Sequence, residues 1–339
     1  MKVTRFTVCI LLALIVAFAG LNTAKEAVAG NKAVRTLKLA TLYSEGKELF
    51  ETVKFFTNEV EKRTQGRITF KIFPGNSLVP SKQALSAVHN GVVDVAFVPA
   101  AYEQQLWPIT AMTMTYGAPN ITYEKWRKVH DQIREIMNQT LNIKVVILGM
   151  PHVLNYFYYS KQPLTGSLKD FDKALVRSAG GAYDPSLKAL GCSPVKIPAP
   201  EVYMALQKGT IDSGWNIYSR YVEGKLFEVA PNVMVIPKGM VISGQHFVIN
   251  KGIWKSLPED IQKIMLQVGT DVVAFTNDRS AASDKKILEE VLPKIGIKPI
   301  IMSKEENKRL IDRLTPVWVP VKKKLGKPGE EIAEILGVR

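Results

Sequence analysis

After residue 36 the chain alternates short strand-like runs with amphipathic helical ones, and that alternation leaves few architectures open. Leu37 to Leu42 reads as a strand. Lys47 to Thr64 follows with Leu49, Val53, Phe56 and Val60 on one helical face, and Gly66 stops it. Ile68, Phe70 and Ile72 then alternate as in a strand. Pro74-Gly75 turns the chain, Ser81 is placed to cap a short helix through His89, Gly91 ends it, and Val92 to Val98 supplies the next strand. This is α/β wiring.

The same grammar recurs further on. A helix is expected from Tyr123 to about Leu141, with Trp126, Val129, Ile133 and Met137 on its buried side, then a strand from Lys144 to Leu148. Ala174 to Arg177 reads as a strand, Asp184 to Leu190 and Glu201 to Lys208 as helices, and Ile211 to Trp215 as a short strand. Leu257-Pro258-Glu259-Asp260 opens a helical stretch that can run to Lys294, long enough to lie across two lobes. A length of 339 residues suits two lobes, and two lobes imply a cleft. No low-complexity segment or internal repeat supplies a linker, so the chain is expected to cross between lobes more than once.

The first residues stand apart from this pattern. Lys2 and Arg5 lead into an apolar run from Phe6 to Leu21, followed by Ala27-Val28-Ala29, which reads as a secretory signal cleaved after Ala29. A membrane anchor is the rival, but the run is shorter than the ~20 apolar residues a spanning helix needs. Cys9 lies inside the run, so it is not positioned for a lipid. Export makes Cys192 the only mature cysteine, and a single thiol forms no internal disulfide; a small buried apolar role suits it.

The formal charge of +14, reduced to +12 without the leader, raises the question of nucleic acid. The basic residues are spread out, and the densest run, Lys322-Lys323-Lys324, reads as a solvated helix face, so no nucleic-acid partner is expected. His89, His130, His152 and His246 are scattered singly, with no cysteine or second histidine at metal spacing; no metal and no cofactor is expected. Gly-x-Ser-x-Gly, the Walker loop and Gly-x-Gly-x-x-Gly after a strand are absent as well. Together with export, these absences favour binding over catalysis.

One stretch carries specific chemistry. In Lys173 to Tyr183 a strand delivers Arg177 at its end, and Gly180-Gly181 allow a close backbone approach. A guanidinium fork makes two parallel hydrogen bonds to a carboxylate, which lysine cannot copy. From this residue alone, a surface arginine at a strand end is an equal reading.

The downstream run Glu201 to Asn216 changes that balance. It matches the pattern Glu-x-Tyr-x-Ala-Leu-Gln-x-Gly-x-x-Asp-Gly at Glu201, Tyr203, Ala205, Leu206, Gln207, Gly209 and Asp212, with Ser213-Gly214 following. Gly91 to Asp94 and Phe247-Val248-Ile249-Asn250-Lys251, then Trp254 and Leu257-Pro258-Glu259-Asp260, are further familiar blocks. Across residues 36 to 335 the chain resembles the solute-binding proteins of tripartite ATP-independent periplasmic (TRAP) transporters, in the branch typified by dicarboxylate- and sialic-acid-binding members.

The resemblance implies a two-lobed α/β binding protein of the Venus-flytrap kind, with a long helix spanning both lobes. The first lobe would comprise residues 30–154 and 244–283, the second 155–243 and 284–339. Arg177 would form a salt bridge to a substrate carboxylate, and Asn216 would fix the same group or a neighbouring hydroxyl. A second basic residue often comes from the strand entering the second lobe, but here Asn155 or Tyr156 stands there, and Trp215 stands where a polar residue is more common.

In an extended strand Tyr156 and Tyr158 share a face, while Phe157 and Tyr159 read as packing residues. Tyr156, Trp215 and Tyr183 are candidate pocket-lining aromatics, and Tyr43, Pro99, Tyr102 and Gln245 are candidate contacts from the other lobe. The expected function is capture of a small organic acid, with a bias to a less polar or aromatic monocarboxylate, and delivery to a membrane permease by a monomeric periplasmic protein. The alternatives are a secreted hydrolase with an unrecognised acid/base pair and a ligand-sensing subunit of a signalling receptor.

Overall fold

The computed structural model describes residues 34–118, 121–153, 156–237 and 243–338, with backbone alone at His152, Val153, Tyr156 and Ser243. The leader with its cleavage position, and Asn155, lie outside the described residues.

The first half builds one sheet. Strand β1 (Arg35–Thr41) leads to helix α1 (Glu48–Arg63), which buries Leu49, Val53, Phe56 and Val60, the stripe expected from spacing. Glu48 and Glu51 in its first turn, with Lys62 and Arg63 in its last, complement the helix dipole. Strand β2 (Ile68–Phe73) then pairs in parallel with β1, from Arg35 opposite Ile68 onward. Helix α2 (Ala84–His89) returns the chain to β3 (Val95–Pro99), which lies on the other side of β1. Asp94 accepts a hydrogen bond from the backbone N–H of Lys38 at 2.7 Å, so the Gly91 to Asp94 block serves to fasten this sheet. Helix α3 (Tyr123–Thr140) is capped by Thr122, buries Trp126, Ile133 and Met137, and delivers β4 (Val145–Gly149) and the two-residue β5 (His152–Val153).

The next segment builds a second sheet. Its strands are β6 (Tyr156–Ser160), β7 (Leu175–Ser178), β8 (Ser193–Lys196), β9 (Ser213–Ile217) and β10 (Asn232–Val235). Helices α4 (Tyr183–Ala189), α5 (Val202–Gln207) and α6 (Tyr218–Glu223) connect them. Strand β9 starts and ends two residues later than spacing suggests. Pairing with β6 carries it to Ile217, opposite Tyr156, and so brings Asn216 into the sheet.

Strand β11 (Ser243–Asn250) returns to the first sheet, antiparallel to both β3 and β4. Helix α7 (Glu259–Lys286) then passes without a break into a π-helical turn at Ile287–Val291 and a last turn at Leu292–Lys294, so the helical stretch does reach Lys294. Strand β12 (Ile300–Ile301) joins the second sheet beside β10. The strand orders are β2-β1-β3-β11-β4, with β5 beside β11, and β12-β10-β6-β9-β7-β8. Each sheet therefore takes strands from two separated stretches of sequence, and the chain crosses between them three times.

Helices α8 (Lys304–Leu314), α9 (Trp318–Leu325) and α10 (Lys327–Leu336) close the chain. They pack back on α3 and the segment before it: the indole N–H of Trp318 donates to the Tyr116 carbonyl at 2.8 Å, and Lys125 Nζ of α3 donates to the Leu336 carbonyl at 3.0 Å.

Each sheet has its own aromatic core. In the first, Phe247 stacks on Phe56 at 4.2 Å and on Phe97 at 4.3 Å between ring centres. In the second, Phe157 stacks on Tyr218 at 4.5 Å, and Tyr159 lies near Tyr221 at 5.7 Å, the packing role expected for Phe157 and Tyr159. Full burial of such a ring is worth roughly 1.5–3 kcal/mol. Cys192 is buried as expected, and desolvation pushes its thiol up to about 12.

Candidate functional site

The carboxyl ends of β1 and β3 in the first sheet and of β7 and β9 in the second border one cavity. In open α/β sheets that is where ligands sit, because loops there are free to diverge. From the first sheet come Tyr43, two residues past β1, and Pro99, the last residue of β3, with Tyr102 just beyond. Gln245 lies opposite Pro99 on β11. From the second sheet come Arg177 near the end of β7 and Asn216 near the end of β9, with Tyr183 opening α4.

These residues border a single cavity of about 60 Å³, together with Trp215. A water needs roughly 10–15 Å³ on this measure, so the space suits a compact ligand. Of the residues singled out from sequence, Arg177, Asn216, Trp215, Tyr183, Gln245, Tyr43, Pro99 and Tyr102 are thus brought together. Tyr156 contributes a backbone position opposite Ile217.

Arg177 is half-buried and donates its Nε–H to the Ile197 carbonyl at 3.0 Å. Its two Nη nitrogens make no hydrogen bond or ion pair among the described residues. Asn216 accepts from the N–H of Ile217 at 3.0 Å through Oδ1, which leaves its amide NH2 as a donor. Tyr43 donates its hydroxyl to Gln245 Oε1 at 2.7 Å, leaving the Gln245 NH2 in the same position. Among the described residues, no aspartate or glutamate borders the cavity. Donors and cations without an acid describe an anion site.

The aromatics divide. Trp215 is 2% exposed, and its ring packs on Tyr158 at 4.9 Å and Phe171 at 5.4 Å, so it belongs as much to the core as to the cavity wall. Tyr183 leans on Tyr116 at 5.2 Å, and Tyr102 accepts a hydrogen bond from the Ala199 N–H at 3.3 Å, linking the two sheets' loops.

Gly180 and Gly181 both have positive φ, 89° and 63°, but the close approach they allow is to protein. A Cβ on Gly181 would collide with Gln104, whose Oε1 accepts from the Ala182 N–H at 2.7 Å. A second bridge runs from α6 to α1, where Glu223 Oε1 accepts from the N–H of Glu48 at 2.9 Å. Burial raises the Glu223 carboxyl above its ordinary value.

Sequence reasoning missed several residues of the wall, Tyr116 and Arg220 among them. Tyr116 enters from the loop before α3, and Arg220 from the first turn of α6, just after β9. No local signal marks Arg220; its place follows only from β9 ending at the cavity and α6 starting there. Among the described residues, no group of three His, Cys, Asp or Glu is placed to hold a metal ion, and no helix is long and apolar enough to cross a membrane.

Two α/β lobes around a small cationic cleft define a solute-binding protein of the periplasmic type. Residues 39–324 match the DctP model, described as bacterial extracellular solute-binding protein, family 7, and the chain belongs to that family, the TRAP solute-binding proteins expected from the motifs. The C4-dicarboxylate-binding periplasmic protein DctP of Shewanella loihica is 24% identical over 277 residues, 80% of this chain and 81% of the relative. A TRAP periplasmic solute-binding protein from Desulfovibrio salexigens, solved with bound orotic acid, superposes with a TM-score of 0.81 at 19% identity, covering 89% of this chain and 97% of that one. A second, from Rhodoferax ferrireducens with bound malonate, gives 0.76 at 23% identity, covering 89% and 96%. The family is one of periplasmic receptors that work with membrane permease subunits, not enzymes, and the hydrolase alternative is not favoured.

Proposed function

We propose that the cleft closes on one small organic acid, that Arg177 grips its carboxylate through both Nη nitrogens, and that the Asn216 amide NH2 donates to the same group or a neighbouring hydroxyl. The observation that carries this reading is the Arg177 fork, held at Nε and, among the described residues, unpaired at Nη and bordered by no acidic side chain on the cavity wall. Tyr43, Pro99, Tyr102 and Gln245 contact the ligand from the first lobe, and Trp215, Tyr183 and Tyr156 from the second. Malonate and orotic acid in two structural relatives support a carboxylate as the recognised group.

The lobes are residues 30–154 with 244–283 and residues 155–243 with 284–339. Ligand contacts to both shift the population to the closed form. The protein acts in the periplasm as a monomer after removal of residues 1–29. In support, exposed large apolar side chains such as Val92, Met204 and Val319 are scattered along the chain.

The test is calorimetry of the purified mature chain with a panel of small carboxylic acids, alongside mass spectrometry of whatever co-purifies. A bound acid returned unchanged, whose binding is lost in Arg177→Gln, is the expected result. Acids binding equally to the wild type and Arg177→Gln would remove the basis of this reading.

A further inference from the structure

Helix α1 begins without a capping side chain of its own. Its N-cap residue is Lys47, extended at φ −96° and ψ 148°, and the Lys47 side chain makes no capping hydrogen bond. Helix starts ordinarily carry Ser, Thr, Asp or Asn there, whose oxygen satisfies one of the free N–H groups of the first turn. Here an acceptor comes from the other sheet. Glu223, the last residue of α6, takes the N–H of Glu48, the first helical position, at 2.9 Å across 175 residues of sequence.

The carboxylate suits this place. It is half-buried and meets the positive end of a 16-residue helix. Lys47 and Arg220 favour its charged form, while burial and the Glu48 carboxyl oppose it. The Ser280 hydroxyl of α7 donates to Glu48 Oε1 at 3.0 Å, which anchors that side chain on α7 and leaves the Glu48 N–H to Glu223. Arg220, three residues earlier on α6, lies over the Tyr43 ring with its guanidinium carbon 5.3 Å from the ring centre, so α6 touches the β1–α1 segment twice. Lys47 and Glu223 border a cavity of about 240 Å³ that shares Tyr43, Asn216 and Arg220 with the ligand cavity. Neither is among the described residues that border the ligand cavity itself.

We infer that Glu223 is a positioning residue: it supplies from the second lobe the N-terminal cap that Lys47 does not, and this cap latches the lobes together and slows release of the bound acid without touching it. The inference rests on the proposed closure of the cleft over an acid gripped by Arg177. Parting the lobes strips α1 of the cap, so opening leaves a helix end unsatisfied. That penalty falls on release of the acid more than on its capture.

Proline fits the first position of a helix, and an extended Lys47 is what the residue before proline requires. Glu48→Pro therefore deletes the N–H while leaving α1 able to form, whereas Glu48→Ala deletes the Ser280 contact and keeps the N–H. Release of malonate and of orotate from the mature chain is followed by stopped-flow tryptophan fluorescence, Trp215 being on the cavity wall. Melting curves establish that each variant is folded. Glu223→Ala and Glu48→Pro are each expected to speed release about three- to thirtyfold with association within about twofold, and the double variant to add little. Glu48→Ala is expected to release as the wild type does, and Glu223→Gln, which keeps a carbonyl acceptor, to fall between. Unchanged release in Glu223→Ala, full additivity with Glu48→Pro, or equal acceleration by Glu48→Ala and Glu48→Pro overturns the latch. Hydrogen exchange over residues 45–53 reads the cap in the ligand-free chain: several-fold faster exchange in Glu223→Ala than in the wild type is expected, and equal exchange overturns the cap. If neither acid binds the wild type, this exchange alone decides. Arg177→Gln is expected to abolish binding and leave that exchange unchanged; if it binds as the wild type does, the grip fails while the release rates and the exchange still judge Glu223.

Discussion

The Nε–H of Arg177 donates to the carbonyl of Ile197 at 3.0 Å, a bond between the end of β7 and the residue just after β8. It locks the long side chain by its inner edge and turns the outer edge of the guanidinium to the cavity. Preorganisation of this kind removes side-chain entropy from the cost of binding.

Arg177→Lys keeps the charge but loses both the Ile197 tether and the planar fork. It is expected to bind the carboxylate ligand about ten to a hundred times more weakly, with little change in stability. Calorimetry on the two proteins decides this, and equal affinities would sink the fork argument.

Gly181→Ala places a methyl group at φ 63° against the Gln104 side chain, which bridges to Ala182. The expected cost is roughly 1–2 kcal/mol of stability in urea unfolding, with weaker ligand binding because the clash falls between the lobes' loops. Combining it with Gln104→Ala should return part of the loss; strict additivity in that double-mutant cycle would show that the two side chains do not meet.

Gly269→Ala tests how α7 seats on the first sheet. A Cβ there would strike the Leu148 carbonyl, and one on Gly149 would strike the Gly269 backbone, so helix and strand touch main chain to main chain. A loss of about 2–4 kcal/mol is expected from urea titration, since the backbone has no rotamer with which to yield. A loss under half a kilocalorie, well below the roughly 1 kcal/mol typical of destabilising point changes, would mean that the helix is free to move away.

His246 is fully buried beside Trp107, ring centres 5.2 Å apart, and desolvation pushes its imidazole down to about 3. The folded value lies below the unfolded one, so as pH falls through about 6.5 the unfolded chain takes up a proton that the folded chain refuses. Stability should therefore drop between pH 6.5 and 4, by up to about 1.4 kcal/mol per pH unit from this group. Thermal melts of wild type and His246→Leu across that range provide the check. Parallel profiles would show that His246 is not the group responsible.

The alternation of Leu37 to Leu42, the α1 stripe and Ile68 to Ile72 made the α/β class readable, because period-2 and period-3.6 burial are written directly into residue order. Arg177 could be singled out for a similar local reason: a fork-shaped cation at a strand end before a glycine pair has a chemical meaning on its own. What faces that pair, however, was not readable, since Gln104 reaches Gly181 from 77 residues earlier in the chain.

Arg220 marks the boundary more sharply. In sequence it is one arginine among 45 basic residues, with nothing about Tyr218 to Tyr221 to distinguish it from a solvated helix face. Residue order set the strand and helix periods and the chemistry available at each strand end. Which cations share one cavity, and which carboxylate bonds the Glu48 backbone, was decided by how strands of the two sheets come together, because contacts between distant segments exist only once the strands have paired.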